Sequence, residues 1–215
     1  FWESEAAMPR GSEELTNARK EEIVNACAAL YETMSFRDIT LRDIGNKTSF
    51  TRTSIYNYFH TKEEIFLALL KREHDAWITD MDEMLRKNTA MDEDAFAEDL
   101  SRILEKRGCM LKLMSMNIYD MEVNSRMENL VDFKKSYAEA FDTLGKCLQK
   151  FFPSMTQEDR KKFLYAFFPF LFGIYPFTTH TEKQLEAMKQ AGIKEGDCTI
   201  YEVTKPFLLR LLESF

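Results

Sequence analysis

The chain has 215 residues, 45% hydrophobic and 30% charged, so it holds enough apolar material for a core and is no disordered tail. Seven glycines and five prolines are too few for a turn-rich β-sandwich. The net charge of −7 disfavours nucleic acid as a partner only until its distribution is read: from Phe36 to Lys62 five basic residues stand against two acidic ones, a window of +3 on a remainder of −10.

Cys27, Cys109, Cys147 and Cys198 form no CxxC pair, and His60, His74 and His180 lie near none of them. Tetrahedral zinc needs clustered ligands, so no metal and no cofactor is expected, and the thiols read as idle in a reducing cytosol. No basic flank precedes an apolar stretch at the N-terminus, so no secretory signal is expected and the location reads as cytoplasmic. Residues 1–15 read as a disordered or added N-terminal segment, with Met8 a candidate native start.

In chain order, the first helix is predicted from near Thr16 to near Met34, with Ile23, Ala26, Cys27, Leu30, Tyr31 and Met34 on one face. Phe36 packs its exit. Thr40 stands as an N-cap with Asp43 as a weak capping-box partner, opening a short helix over Leu41–Lys47. Thr48, Ser49 and Phe50 read as a turn. Thr51 is the next cap, and Ile55 and Phe59 face inward at i, i+4. Thr61 caps a fourth helix, with Glu64 three residues on, running through Trp77 and Met81 to Leu85.

Further helices follow. Phe96, Leu100, Ile103 and Leu104 form one stripe, and Met110 through Tyr119 is a compact apolar segment. Phe133, Tyr137, Phe141, Leu144 and Leu148 mark a long helix, and Thr156 opens the next. Phe163–Phe177 carries no charge over 15 residues, too short for a membrane span, and reads as a buried helix broken near its end by Pro169, Gly173 and Pro176. A polar helix runs from Thr181 to Gly192. Asp197 or Thr199 caps a last helix through Phe207, Leu208, Leu211 and Leu212, bent by Pro206. The fold class is all-α with about nine helices: residues 16–62 a helix-turn-helix domain, residues 63–215 a larger helical body.

Two short helices joined by a three-residue turn, the second hydroxyl-rich outside, fit a helix-turn-helix. Thr51, Arg52, Thr53, Ser54 and Asn57 supply donors and acceptors for base edges. Thr40, Tyr56, Tyr58 and Lys62 lie at helix ends or flanks, where hydroxyl and ammonium groups hold phosphates. The stretch from Thr40 to Glu63 resembles the DNA-binding domain of the tetracycline-repressor (TetR) family, roughly T-x-x-x-I-A-x-x-A-G-V-S-x-G-T-L-Y-x-H-F-x-x-K-E. Thr40, Ile44, Tyr56, Phe59, Lys62 and Glu63 match it, and Thr51, Ser54 and Ile55 are conservative. Gly45, Thr48, Ser49 and Thr53 depart from it, and Ser49 would be strained if the turn needs φ > 0. The resemblance covers residues 16–70 and beyond them extends only to helicity and length.

It implies phosphate contacts from Thr40, Tyr56, Tyr58 and Lys62 and groove contacts from Arg52, Thr53 and Asn57. It also implies a ligand pocket in the body and a four-helix dimer bundle. The apolar regions Phe163–Phe172 and Phe207–Phe215 are the expected dimer surfaces. Trp77, Met81, Met110, Met114, Tyr119, Phe133, Tyr137, Phe141, Phe167 and Tyr175 are the candidate pocket lining, for an apolar or aromatic effector. The same residues could equally fill an ordinary core. The expected function is a ligand-responsive regulator, a repressor by preference, binding a near-palindromic operator as a homodimer. The alternative is a co-regulator on the same fold controlled by a protein partner. No Ser/His/Asp, Cys/His or HExxH arrangement supports an enzyme.

Overall fold

The computed structural model describes residues 10–49, 52–193 and 198–215. Among them are eleven helices and no strand. They are α1 (Arg10–Tyr31), α2 (Leu41–Asn46), α3 (Arg52–Ile55), α4 (Lys62–Lys87), α5 (Glu93–Glu105), α6 (Gly108–Met116), α7 (Ile118–Val123), α8 (Met127–Phe151), α9 (Gln157–Thr178), α10 (Glu182–Gln190) and α11 (Ile200–Leu212). No helix among the described residues is long and apolar enough to cross a membrane.

The chain divides into two compact units, and the division differs from the expected one at residue 62. The first runs to Leu69 and takes in Asp120–Asn129; the second comprises Leu70–Tyr119 and Leu130–Phe215. The first boundary is late because the opening turns of α4 bury Ile65, Phe66 and Leu69. The first helix also begins earlier than expected, at Arg10, inside the segment read as disordered.

In the first unit, α1 buries Ile23, Val24, Cys27, Leu30 and Tyr31, the predicted stripe. Ile39, Ile44, Ile55 and Phe59 complete the core. Phe66 is its centre, with Tyr31 edge-on at 5.2 Å and Phe36 tilted at 4.7 Å.

In the second unit, α11 packs on α5 and α9, and α6 packs on α9. Trp77, Phe96, Phe133, Phe163 and Phe167 have no exposed surface. Glu98 on α5 joins α11 by accepting hydrogen bonds from the Tyr201 hydroxyl and, at 3.0 Å, from Lys205. The hydrogen bonds from Tyr201 and Lys205 hold its carboxyl down at about 2.

Helix α9 is not broken where the prolines predict a break; it runs to Thr178 with Pro169 and Pro176 inside it. Both prolines are exposed, seven residues apart, so each faces solvent. The carbonyls they leave unpaired, four residues earlier on that same side, are open to water. At the end of α10, Gly192 is the one described residue with positive φ, +74°. Ile193 N–H reaches Met188 O and Gly192 N–H reaches Lys189 O, a complete Schellman ending. Thr199 caps α11; the alternative, Asp197, lies outside the described residues.

The entry to α9 is set by a reciprocal capping box. Asp159 N–H donates to the Thr156 hydroxyl at 3.2 Å, and Thr156 N–H donates to the Asp159 carboxylate at 3.0 Å. Thr156→Ala removes one arm of it and is expected to destabilise the chain by about 1 kcal/mol, read as a lower urea midpoint at unchanged slope.

Candidate functional site

The α2–α3 pair is built by caps and two inward side chains. Thr40 caps α2: its hydroxyl accepts from Asp43 N–H, and the Asp43 carboxylate accepts from Thr40 N–H at 2.9 Å. The Thr40 hydroxyl, which donates to that carboxylate at 2.6 Å, and then the Thr40 N–H hold the Asp43 carboxyl below the ordinary carboxylate range. The turn that follows is tied to α1, where the Glu22 carboxylate accepts from Ser49 N–H and, at 3.1 Å, from the Ser49 hydroxyl. Ser49 has no positive φ, so the strain that a glycine-like turn would impose there is absent.

Helix α3 is only four residues long, Arg52–Ile55, and the chain continues as turns closed by Tyr58 N–H and Phe59 N–H on Ile55 O. Ile55 (0% exposed) and Phe59 (4%) face inward as predicted. Thr53, Tyr56 and Asn57 are therefore turned to solvent. Ser54 and Tyr58 are half-buried and, with Asn57, border a cleft of about 410 Å³ against Arg19 and Glu22 of α1. The Tyr58 hydroxyl accepts from Arg19 at 3.0 Å. Thr51, and the side chain of Arg52, lie outside the described residues.

Two of the expected phosphate contacts are engaged within the protein. The Lys62 ammonium donates to Phe36 O at 2.7 Å, Ile39 O at 3.1 Å and Arg37 O at 3.4 Å, and sits 4.7 Å from the centre of the Phe36 ring. An ammonium has three hydrogens, and three carbonyls take them. Thr40 likewise serves as a cap. Beside them Arg42 is exposed and borders a groove of about 520 Å³ with Thr40, Lys62 and Glu63. Arg42 is the cation on this face that sequence reasoning left out.

A second omission is Glu64, expected only as a capping-box partner of Thr61. Its N–H does donate to the Thr61 hydroxyl, at 3.2 Å. Its carboxylate, however, has no exposed surface and accepts four other hydrogen bonds. They come from His60 N–H (2.7 Å), Arg126 N–H (3.1 Å), and Arg126 Nε (2.6 Å) and Nη2 (3.0 Å). Arg126 Nη2 also donates to Tyr58 O at 3.4 Å, and the Thr61 hydroxyl donates to Asn124 O at 3.2 Å. Burial pushes the Glu64 carboxyl up, but the hydrogen bonds from Arg126 and His60 outweigh it and hold the group below its ordinary range.

The candidate effector residues separate into three sets. Trp77, Met81, Met110, Met114, Phe133 and Phe167 have no exposed surface and fill the core of the second unit. Tyr137 and Phe141 border an open groove of about 580 Å³ between α8 and α9, with Tyr165, Phe168, Pro169 and Phe172. Tyr175 is half-buried away from that lining. Tyr119 is a correction: it is 77% exposed, because α6 ends at Asn117 and the new helix turns Tyr119 outward. In the expected dimer regions, Phe163, Phe167, Phe168, Leu208 and Leu212 pack inside the chain. Phe170 stacks on Phe207 at 3.8 Å. The solvent side of α9 carries Tyr165, Ala166, Pro169, Gly173, Pro176 and Phe177 instead.

Residues 23–69 match the family described as bacterial regulatory proteins, tetR family, and residues 71–203 match the tetracyclin repressor-like C-terminal domain. The chain is 29% identical over 79 residues to an uncharacterized HTH-type transcriptional regulator, YfiR, of Bacillus subtilis (strain 168). That match covers 37% of this chain and 35% of that relative, so it spans about a third of the relative's length. The fold is shared with the fatty acid degradation regulator FadR of Bacillus halodurans, at TM-score 0.58 and 13% identity, covering 90% of this chain and 94% of that one. It is shared also with FadR of Bacillus subtilis, solved in complex with stearoyl-CoA, at TM-score 0.56, 15% identity and coverage of 89% and 96%. MbdR of Azoarcus sp. CIB gives TM-score 0.56 and 16% identity, over 91% of this chain and 97% of that one.

Glu64 has a folded-state pKa below its unfolded value. The stability it confers is present above the unfolded carboxylate pKa, about 4.3, and lost as pH falls through the folded one. Arg126→Met removes the partner and leaves burial to raise Glu64. At pH about 7 the variant is expected to lose about 2–3 kcal/mol, less than a fully enclosed pair would because Arg126 is 35% exposed. The gap to the parent chain should close as pH falls to about 4 and below, as measured by urea midpoints across that range. A loss that did not change with pH would show that Arg126 acts through packing alone.

Proposed function

This chain belongs to the tetR family of bacterial regulatory proteins, and on that footing we propose that it is a ligand-responsive repressor. It binds a near-palindromic operator as a homodimer and is released by a small apolar or aromatic effector. The observation that carries the reading is the outward row of Thr53, Tyr56 and Asn57, held by the buried Ile55 and Phe59 behind it. A carboxamide and hydroxyls on the outer side of a short helix and the turns that follow it suit major-groove base edges, an Asn pairing being the common contact to adenine. Arg42 supplies the phosphate charge that Lys62, turned inward, does not.

Dimerisation is supported by the apolar solvent side of α9, from Tyr165 to Phe177, which lacks a cover among the described residues. A two-fold axis there would set two reading helices on one face of the duplex, about 34 Å apart or somewhat more. Release follows from population shift: effector favours a dimer whose reading heads no longer match successive major grooves. The apolar groove of the body and the acyl-CoA complex of the Bacillus subtilis structural relative support an apolar effector. The reading assigns no catalytic residue, and it places the protein in the cytoplasm with its DNA.

Gel shift with genomic fragments tests the proposal, and failure to select any sequence at moderate salt would overturn it. With the selected fragment, Asn57→Ala is expected to weaken binding about tenfold or more while leaving the salt slope unchanged. Arg42→Ala should instead weaken binding to every sequence and reduce the salt slope by about 1.

A further inference from the structure

His74 and Trp77 sit one turn apart on α4, and neither has any exposed surface. His74 Nδ1 lies 3.0 Å from Leu70 O. A carbonyl only accepts, so Nδ1 carries the proton, and the neutral ring leaves Nε2 as a bare acceptor. Burial pushes the imidazole down to about 4, which keeps it neutral at physiological pH. Among the described residues no group pairs with His74 Nε2, and none pairs with the Trp77 indole Nε1–H. One buried acceptor and one buried donor therefore stand on one side of a helix, their rings 6.2 Å apart and edge-on. Unpaired polar atoms in an apolar interior are a standing cost to the fold.

What encloses them is aromatic. Phe133 meets His74 edge-on at 5.4 Å, Tyr137 lies 6.0 Å from His74, and Phe168 lies 5.8 Å from Trp77. Tyr137 and Phe168, 5.4 Å apart, also border the 580 Å³ groove between α8 and α9. A single layer of rings thus separates the unpaired atoms from an open apolar trough. The charged neighbours are already engaged: Asp75 with Lys71 and the Ser136 hydroxyl, Lys134 over the Phe133 and Tyr137 rings. An ionised ligand would lose its hydration there without gaining an ion pair. A hydroxyl fits both needs, since its oxygen accepts while its hydrogen donates.

We propose that His74 and Trp77 are the polar anchor of the effector site, and that the effector is an uncharged apolar molecule bearing one hydroxyl, an alkylphenol or alcohol in class. Its oxygen accepts from Trp77 Nε1–H and its hydrogen goes to His74 Nε2, with the apolar part lying among Phe133, Tyr137 and Phe168 and along the groove. The inference rests on the reading of the second unit as an effector-binding body, and it adds His74, which sequence reasoning passed over.

The chain has two tryptophans, Trp2 and Trp77, so Trp2→Phe leaves Trp77 as the sole indole of the full-length protein. That protein is titrated with para-hexylphenol and with hexylbenzene, the same molecule without its hydroxyl. Saturable change in Trp77 emission is expected, with the phenol bound about tenfold more tightly or better. The indole N–H proton resonance should move downfield with the phenol only. His74→Phe in the same background should bring the two affinities to parity. Equal affinities in the Trp2→Phe protein, binding of neither probe, or an unmoved indole resonance would each overturn the proposal. Should His74→Phe fail to fold, the resonance of the Trp2→Phe protein decides alone. Operator gel shift on the same protein separates the two readings. Selective DNA binding without phenol binding removes the hydroxyl anchor and leaves the regulator; phenol binding without selective DNA binding does the reverse.

Discussion

The fold around the reading head depends on one buried carboxylate. Glu64 has no exposed surface, and four hydrogen bonds converge on it from His60 and Arg126. Through Arg126 the same group reaches the carbonyl of Tyr58, where the turns after α3 end. Through Thr61 the first turn of α4 holds Asn124 as well. A carboxylate taken out of water must be fully satisfied, and satisfying it fixes every donor that does so. This explains why residues 120–129, distant in sequence, belong to the first unit. They carry the guanidinium without which Glu64 could not be ionised where it lies.

The same logic governs Lys62 and Thr40. Each sits where a DNA contact is expected from its type, and each is occupied in holding the scaffold. The hinge from α1 to α2 exposes three carbonyls, Phe36, Arg37 and Ile39, that no helix pairs, and the Lys62 ammonium closes over them. Thr40 and Asp43 satisfy one another at the start of α2. Positions that fix the angle of a reading helix matter to recognition as much as those that touch bases, because hydrogen-bond readout tolerates little misplacement. Their effect runs through geometry. Thr53, Asn57 and Arg42, by contrast, present exposed side chains.

Much of this was legible before any coordinates. Local pattern located the core residues of α1, the inward pair Ile55 and Phe59, the caps Thr40 and Thr156, and the last cap to within two candidates, Asp197 and Thr199, because each depends on neighbours within four residues. What escaped depends on partners far along the chain. Thr61-x-x-Glu64 announces a capping box, yet the carboxylate passes over its cap and binds Arg126, 62 residues on. A local rule has no means of finding that. The two prolines of α9 misled for the opposite reason: they are local breakers only when the carbonyls they free are buried, and here those carbonyls face water. The apolar run from Met110 to Tyr119 reads as one segment and puts Tyr119 inside. The break at Asn117 resets the helical phase and turns the ring outward.

The body presents a different problem: on α4 its apolar interior holds two polar atoms, His74 Nε2 and the Trp77 indole N–H, that are unpaired among the described residues. Each unpaired buried donor or acceptor costs the fold about 1–3 kcal/mol. A group that supplied both missing hydrogen bonds would recover that energy on binding and would bind the form of the body that presents them. By linkage, binding of that kind stabilises whichever arrangement of α4 holds the pair open to it. Helix α4 is the element on which both Glu64 and His74 lie, ten residues apart in one continuous run. Glu64 belongs to the first unit, and His74, whose Nε2 has no partner among the described residues, to the second.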